Sequence, residues 1–201
     1  MKINDKITAN LTPKTQKTFN KIIKCSKKEF SNRGYSNTSI HLIAKKAGLS
    51  VGCLYKYFSS KDELYDYIIT GEQNKIKAHI NDAIRTCKTR KEMEKEGLRA
   101  WLYYVRNNPG VYRLIWETLF IDQKAFDDYY KNFAASYAHA LTHSDEGLNT
   151  EDVINLSYAL IGVSNFLGIR LINPKNKVTD EEVELMVETG YNFIINGIFK
   201  K

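Results

Sequence analysis

The sequence predicts an all-α fold of about nine helices, in which a three-helix helix-turn-helix head precedes a larger helical body. Three observations lead there. Only three prolines and 11 glycines fall in 201 residues, so few positions break a helix. Apolar residues recur at helical spacing in nearly every segment, and no run alternates as a strand would. Charge is unevenly spread: residues 1–61 hold 13 Lys and Arg against two acids, net +11, whereas residues 62–201 carry net −4. A basic head (1–61) and a mildly acidic body (62–201) follow, and the head calls for a polyanionic partner.

The elements can be justified in order. From about Lys14 to Phe30, Phe19, Ile22, Ile23, Ser26 and Phe30 share one face, lysines fill the other, and Gly34 ends the run. Asn37-Thr38 offers an N-cap for a short helix through Ile40, Ile43 and Ala44 that stops at Ala47-Gly48, and Ser50 caps another from Val51 to about Tyr57. Ser60 and Glu63 read as a capping box opening a longer helix, to about Ile84, through Leu64, Tyr67, Ile68, Ile76 and Ile80. In the body, Leu98, Trp101, Leu102 and Val105 mark a helix ending at Asn107. Asn108 as N-cap and Pro109 at the first position restart one through Val111, Leu114, Ile115 and Leu119. Another runs from about Asp122 to Thr142. Thr150 caps a helix with Val153, Leu156, Leu160, Val163 and Leu167 on one side. A capping box from Thr179 to Glu182 opens the last helix, with Val183, Met186, Val187, Gly190, Ile194 and Ile198 on one face.

Several classes of function are excluded at this level. Three scattered cysteines (Cys25, Cys53, Cys87) suit neither a disulfide framework nor a zinc site of CxxC type, and imply a reducing compartment. The N-terminal stretch lacks the apolar centre of a secretory signal. The most apolar later stretch is interrupted by Ser164, Asn165 and Arg170, so no membrane span and a cytoplasmic location are expected. His139 and His143 stand at metal-compatible i, i+4 spacing, but no third ligand is near them in sequence, and neither metal nor cofactor is expected. No nucleophile–base pair, phosphate-cradling loop or dinucleotide fingerprint is present, which argues against an enzyme.

A short helix, a turn containing glycine and a second short helix is the geometry that lays the second helix in the DNA major groove. Between Gly34 and Leu64, the residues Thr38, Ile43-Ala44, Ala47-Gly48, Leu54-Tyr55, Tyr57-Phe58 and Ser60-Lys61 stand at spacings that strongly resemble the signature of the tetracycline-repressor (TetR/AcrR) family of bacterial transcriptional regulators. The likeness covers roughly residues 15–68; the body resembles the family only in length and helical character. It implies that Thr38, Tyr55, Tyr57 and Lys61 clamp phosphates of double-stranded operator DNA, with Ser39, Val51, Gly52 and Cys53 nearer the bases.

The residue chemistry suits those roles. Gly52 lets the backbone approach the groove, Val51 and Cys53 can meet thymine methyl groups, and the tyrosines flanking Lys56 can reach phosphate oxygens. Leu42, Ile43, Ala44, Leu49, Leu54 and Phe58 read as the core that holds the motif. Lys17, Lys21, Lys24, Lys27 and Lys28 on the first helix supply an attracting field.

The family likeness implies a body that binds a small molecule and dimerises. Trp101, Tyr104, Tyr112, Trp116, Phe120, Phe126, Tyr130, Phe133, Tyr137 and Phe166 are numerous enough to line a cavity for an apolar or aromatic effector, and Glu117 beside Trp116 would favour a cationic or hydrogen-bonding one. Small residues at Gly162, Ser164, Gly168, Gly190 and Gly197 would let helices of a homodimer approach closely. The resulting expectation is a repressor released from its operator by a small molecule, the helix from Ser60 to about Ile84 carrying the signal. An activator, or a helical small-molecule carrier whose basic head meets membrane or RNA, is the alternative.

Overall fold

The computed structural model describes residues 12–142, 152–173 and 178–196. Among the described residues all regular structure is helical, in nine helices: α1 (Pro13–Arg33), α2 (Ile40–Ala47), α3 (Val51–Tyr55), α4 (Lys61–Ile84), α5 (Arg90–Asn107), α6 (Pro109–Ile121), α7 (Gln123–Thr142), α8 (Val153–Ile169) and α9 (Asp180–Asn196). The chain forms two compact units: one runs to Asn74 and takes in Arg113–Glu117, and the other comprises Lys75–Tyr112 and the chain from Thr118 onward.

In the first unit, α1 presents Phe19, Ile22, Ser26 and Phe30 inward at the expected spacing. Phe19 meets the rings of Phe58 and Tyr67 at centroid distances of 5.8 and 5.5 Å, and Phe30 meets Tyr65 edge-on at 5.3 Å. Leu64, Tyr65, Ile68 and Ile69 of α4 are buried, so this core continues past residue 61; charge marks the solvated surface, whereas burial marks where the core ends. The Lys27 ammonium and the buried Glu72 carboxylate pair at 2.7 Å and tie α1 to α4. Residues 113–117 of α6 are held the same way: the Tyr65 hydroxyl donates to the Leu114 carbonyl at 2.8 Å, Arg113 donates to the Ser31 carbonyl at 3.1 Å, and Glu117 accepts the Tyr35 N–H at 2.9 Å.

α1 ends at Gly34, whose φ of +77° and ψ of 171° lie where only glycine is comfortable. A Cβ there would stand 2.7 Å from a Glu117 carboxylate oxygen. Gly34→Ala should therefore cost about 1–3 kcal/mol of stability. Gly52→Ala, with nothing within 4 Å of its Cβ position, should leave thermal stability unchanged or raised, and parallel melts of the two variants compare them directly.

The second unit is a bundle in which α5 packs on α8 and α9, and α7 packs on α8. Its helices start on caps that differ partly from expectation. Thr89 and Glu92 form a reciprocal capping box on α5, and Thr179 and Glu182 another on α9. Asn108 makes no side-chain cap for α6; its amide instead donates to the Tyr104 carbonyl at 3.0 Å and closes α5. Asp152 caps α8 by accepting from the Asn155 N–H at 2.9 Å, while Thr150 lies outside the described residues.

Of the three described glycines expected where helices of a dimer approach, two face inward. A Cβ at Gly168 would meet Trp101 and Tyr112 at 3.3 Å, and one at Gly190 would meet Leu167 at 2.7 Å and Leu98 at 2.9 Å, so both serve packing within the unit. Gly162 is open, and it completes an exposed row on α8 with Ile154, Tyr158 and Phe166; Gly197 and Ile198 lie outside the described residues.

Candidate DNA-binding face and ligand cavity

The head's geometry follows from local signals. Ser39, one residue beyond the expected cap, accepts the Leu42 N–H at 3.1 Å and starts α2. Gly48 ends it in the left-handed region (φ +59°, ψ +42°), its N–H reaching the Ala44 and Lys45 carbonyls. Ser50 then accepts the Cys53 N–H at 3.1 Å and starts α3. Three residues thus turn the chain from one helix into the next, and Ile43, Ala44, Ala47 and Leu54 are buried where the two helices meet the head's core. Leu42 and Leu49, expected in that core, are half-buried.

The proposed DNA-contact residues divide into two groups. Ser39, Gly52, Tyr55 and Lys56 are exposed, and Val51 and Cys53 are half-exposed on the same short helix. The remainder are engaged inside the head. Thr38 is buried, with its hydroxyl 2.8 Å from the Gly34 carbonyl and 3.3 Å from that of Glu29. The Tyr57 hydroxyl donates to the Thr15 carbonyl at 3.3 Å. Lys61 donates to the Tyr35 carbonyl at 3.1 Å and lies 3.8 Å above the Tyr35 ring. Burial, followed by the hydrogen bond to Asp62, pushes the Tyr35 phenol up to about 12. Sequence spacing put these side chains near the α2–α3 surface but carried no information on which carbonyls they would find. His41, Lys45 and Lys46, exposed on α2, add polar and basic groups that sequence reasoning did not single out.

The second unit contains a partly open cavity of about 270 Å³, walled by α4, α5, α7 and α8 with Ile194 of α9. Of the aromatics proposed to meet an effector, Trp101, Tyr130, Phe133 and Tyr137 line it. The others lie elsewhere for identifiable reasons. Tyr112 is buried beside it, with its hydroxyl 2.7 Å from the Asn165 carbonyl. Tyr104 faces His79, at 5.7 Å between rings. Trp116 and Glu117 belong to the first unit, where Glu117 is taken by the Tyr35 N–H. Phe120 and Phe166 are 89% and 69% exposed. Phe126 is half-buried, 4.7 Å from the Tyr130 ring, and does not line the cavity.

Two polar groups are built into this wall. Asn165 accepts from the hydroxyls of Tyr112 (3.2 Å) and Tyr130 (3.4 Å), and its amide donates to the Ile161 carbonyl. Arg90, whose Nε donates to Glu94 at 2.7 Å, lies 4.9 Å from the Tyr137 ring centre, and the Tyr137 hydroxyl donates to the other Glu94 oxygen. Burial, then the Glu94 charge, raises the Tyr137 phenol well above the usual range; burial alone pushes Tyr129 up to about 12. Arg90, Glu94 and Lys77 were missed from sequence. Their signal was present: Arg90, Glu94, Gly97 and Trp101 repeat at i, i+4, i+7 and i+11, a stripe on which two charges interrupt an otherwise inward face. Among the described residues no group of three His, Cys, Asp or Glu could hold a metal ion, and His143 lies outside them. No described helix is long and apolar enough to cross a membrane.

The described residues are all-helical in their regular structure, and the N-terminal unit contains a helix-turn-helix. Residues 22–68 match the family described as bacterial regulatory proteins, tetR family. The HTH-type transcriptional activator FasR of Mycolicibacterium smegmatis is 25% identical over 138 residues, covering 67% of this chain and 63% of that protein. The structure of the fatty acid degradation regulator FadR from Bacillus halodurans superposes with a TM-score of 0.80 at 14% identity, over 96% of this chain and all of that one. That of the transcriptional regulator FadR from Bacillus subtilis in complex with stearoyl-CoA gives a TM-score of 0.72 at 15% identity, over 90% of this chain and all of that one. Residues 22–68 are thus similar to the DNA-binding region of the tetR family of bacterial regulatory proteins, and the likeness to the solved structures extends to the fold of the remaining chain. The match spans less than two thirds of the length of FasR.

Proposed function

We propose that this chain is a homodimeric transcriptional regulator that binds operator DNA through α3 and responds to a small molecule held in the cavity of its second unit. The observation that carries the reading is the exposed α2–α3 face, with Gly52, Tyr55 and Lys56 uncovered on a head of net charge +11 over residues 1–61. A face that is basic, rich in hydroxyls and supported by a buried core suits duplex DNA, where phosphate contacts position and groove contacts specify. Dimerisation is supported by the exposed α8 row of Ile154, Tyr158 and Phe166 and by Leu185 and Phe193 of α9, apolar surface that a twofold partner would cover.

Release of DNA by ligand, and so repression, is the preferred direction. α4 starts beside the Tyr35–Lys61 contact in the head, and its later residues Lys77, Ile80 and Ile84 line the cavity. An effector that binds one arrangement of that wall better than another would bias the whole helix. Repression and activation are separated by transcription in vitro from the selected promoter.

The deciding experiment is selection from a random duplex library, followed by anisotropy titration and sedimentation of the complex. A selected sequence should bind about a thousandfold or more tighter than bulk DNA, with affinity falling steeply as salt rises and two chains per site. Equal affinity for every duplex would end this reading and leave the helical carrier.

A further inference from the structure

The cavity's charge identifies the kind of molecule it admits, an inference that rests on the ligand-binding reading above. Among the described residues three formally charged side chains line it, Lys77, Arg90 and Glu94. Arg90 and Glu94 neutralise one another: their side chains are 10% and 8% exposed, and both Glu94 oxygens are occupied, one by Arg90 and the other by the Tyr137 hydroxyl. That leaves one positive charge over. Lys77 comes from α4, and its ammonium lies 5.9 Å from the centre of the Phe133 ring, itself part of the wall.

The rest of the lining is mainly apolar, including Ile80, Ile84, Met93, Leu98 and Ile161, with uncharged polar side chains such as Asn81 and Ser136 between them. Lys77 is half-buried, and a positive charge at the wall of a largely apolar space is stabilised most by a single negative charge brought in on an apolar body. A dianion would leave one charge uncompensated, and a cation would meet Lys77 with Glu94, the carboxylate among the described lining residues, already spent. The volume of about 270 Å³ corresponds to about nine non-hydrogen atoms at the roughly 30 Å³ a water molecule occupies in the liquid.

We infer that the cavity binds a small monocarboxylate with an apolar body of six to eight carbons, its carboxylate paired with Lys77 and its body lying among the α4, α5 and α8 side chains. Because Lys77 is on α4, formation of this ion pair loads the helix that begins in the head.

Calorimetric titration of the full-length protein without DNA tests the assignment, using octanoate, octan-1-ol and octylamine as probes. Octanoate should bind about tenfold or more tighter than octan-1-ol, the scale of one charge-assisted hydrogen bond, and octylamine should not bind measurably. Lys77→Met should remove the preference for octanoate while leaving octan-1-ol binding intact, which shows that the variant is folded and its cavity open. Lys77→Arg should restore much of the preference. Octylamine binding as tightly as octanoate, octanoate binding unchanged by Lys77→Met, or no binding of any of the three would each overturn the inference. Selective DNA binding in the separate titration would still stand, so failure here is distinguishable from failure of the regulatory reading.

Discussion

Arg90→Met should destabilise the protein by about 3–5 kcal/mol, the usual cost of removing one partner from a buried ion pair. Arg90 and Glu94 lie one turn apart on α5 with side chains only 10% and 8% exposed, so neither recovers water if the other is lost. The arginine also lies over the Tyr137 ring at 4.9 Å. Without it, Glu94 keeps a full charge in the cavity wall with the Tyr137 hydroxyl as its remaining donor. Denaturant titration followed by far-ultraviolet circular dichroism reads the loss. The double variant Arg90→Met, Glu94→Met should recover most of it, because a buried pair replaced by apolar groups of similar volume is close to neutral. A single variant within about 1 kcal/mol of the parent would mean that the pair is as weak as a solvent-exposed one.

The same pair illustrates what the sequence conceals. An Arg and a Glu at i, i+4 on an amphipathic helix ordinarily lie in water, where such pairs are common and worth little. Whether they face solvent or a cavity is decided by Tyr137, 43 residues further on. Helix identities were legible because periodicity is local, and α6, α7 and α9 start within a residue or two of where Pro109, Asp122 and Thr179 place them. Caps were legible only in part. Ser39 displaces Asn37-Thr38 because Thr38 turns inward to the Gly34 and Glu29 carbonyls, a choice made by tertiary packing.

The aromatics of the body show the same limit. Ten of them looked alike as cavity material, yet four line the cavity, Phe120 and Phe166 are exposed, and Trp116 belongs to the unit that contains the head. α6 contributes to both units within thirteen residues, and a helical repeat cannot reveal which neighbour each turn will find. The glycines misled for a related reason. A small residue signals close approach but not what approaches, and for Gly168 and Gly190 it is side chains of the same bundle.

The head carries the other large effect, through a single side chain. α3 is five residues long, far too short to persist as an isolated helix. Its one fully buried residue is Leu54, at 0% exposure, and the Ser50 cap orders only its first turn. Leu54→Ala should therefore cost about 2–5 kcal/mol from lost burial and the cavity left behind. It should also let α3 shift relative to α2. The lysines of α1 are untouched, so salt-dependent attraction to any duplex should survive, while preference for the selected sequence should collapse toward the non-specific level. Leu54→Met, which nearly preserves volume, should cost less than about 1.5 kcal/mol and keep the preference. Anisotropy titrations at a temperature where circular dichroism shows Leu54→Ala still folded would isolate the positional effect. Full sequence preference under those conditions would mean that α3 is held by contacts other than the one side chain it buries completely.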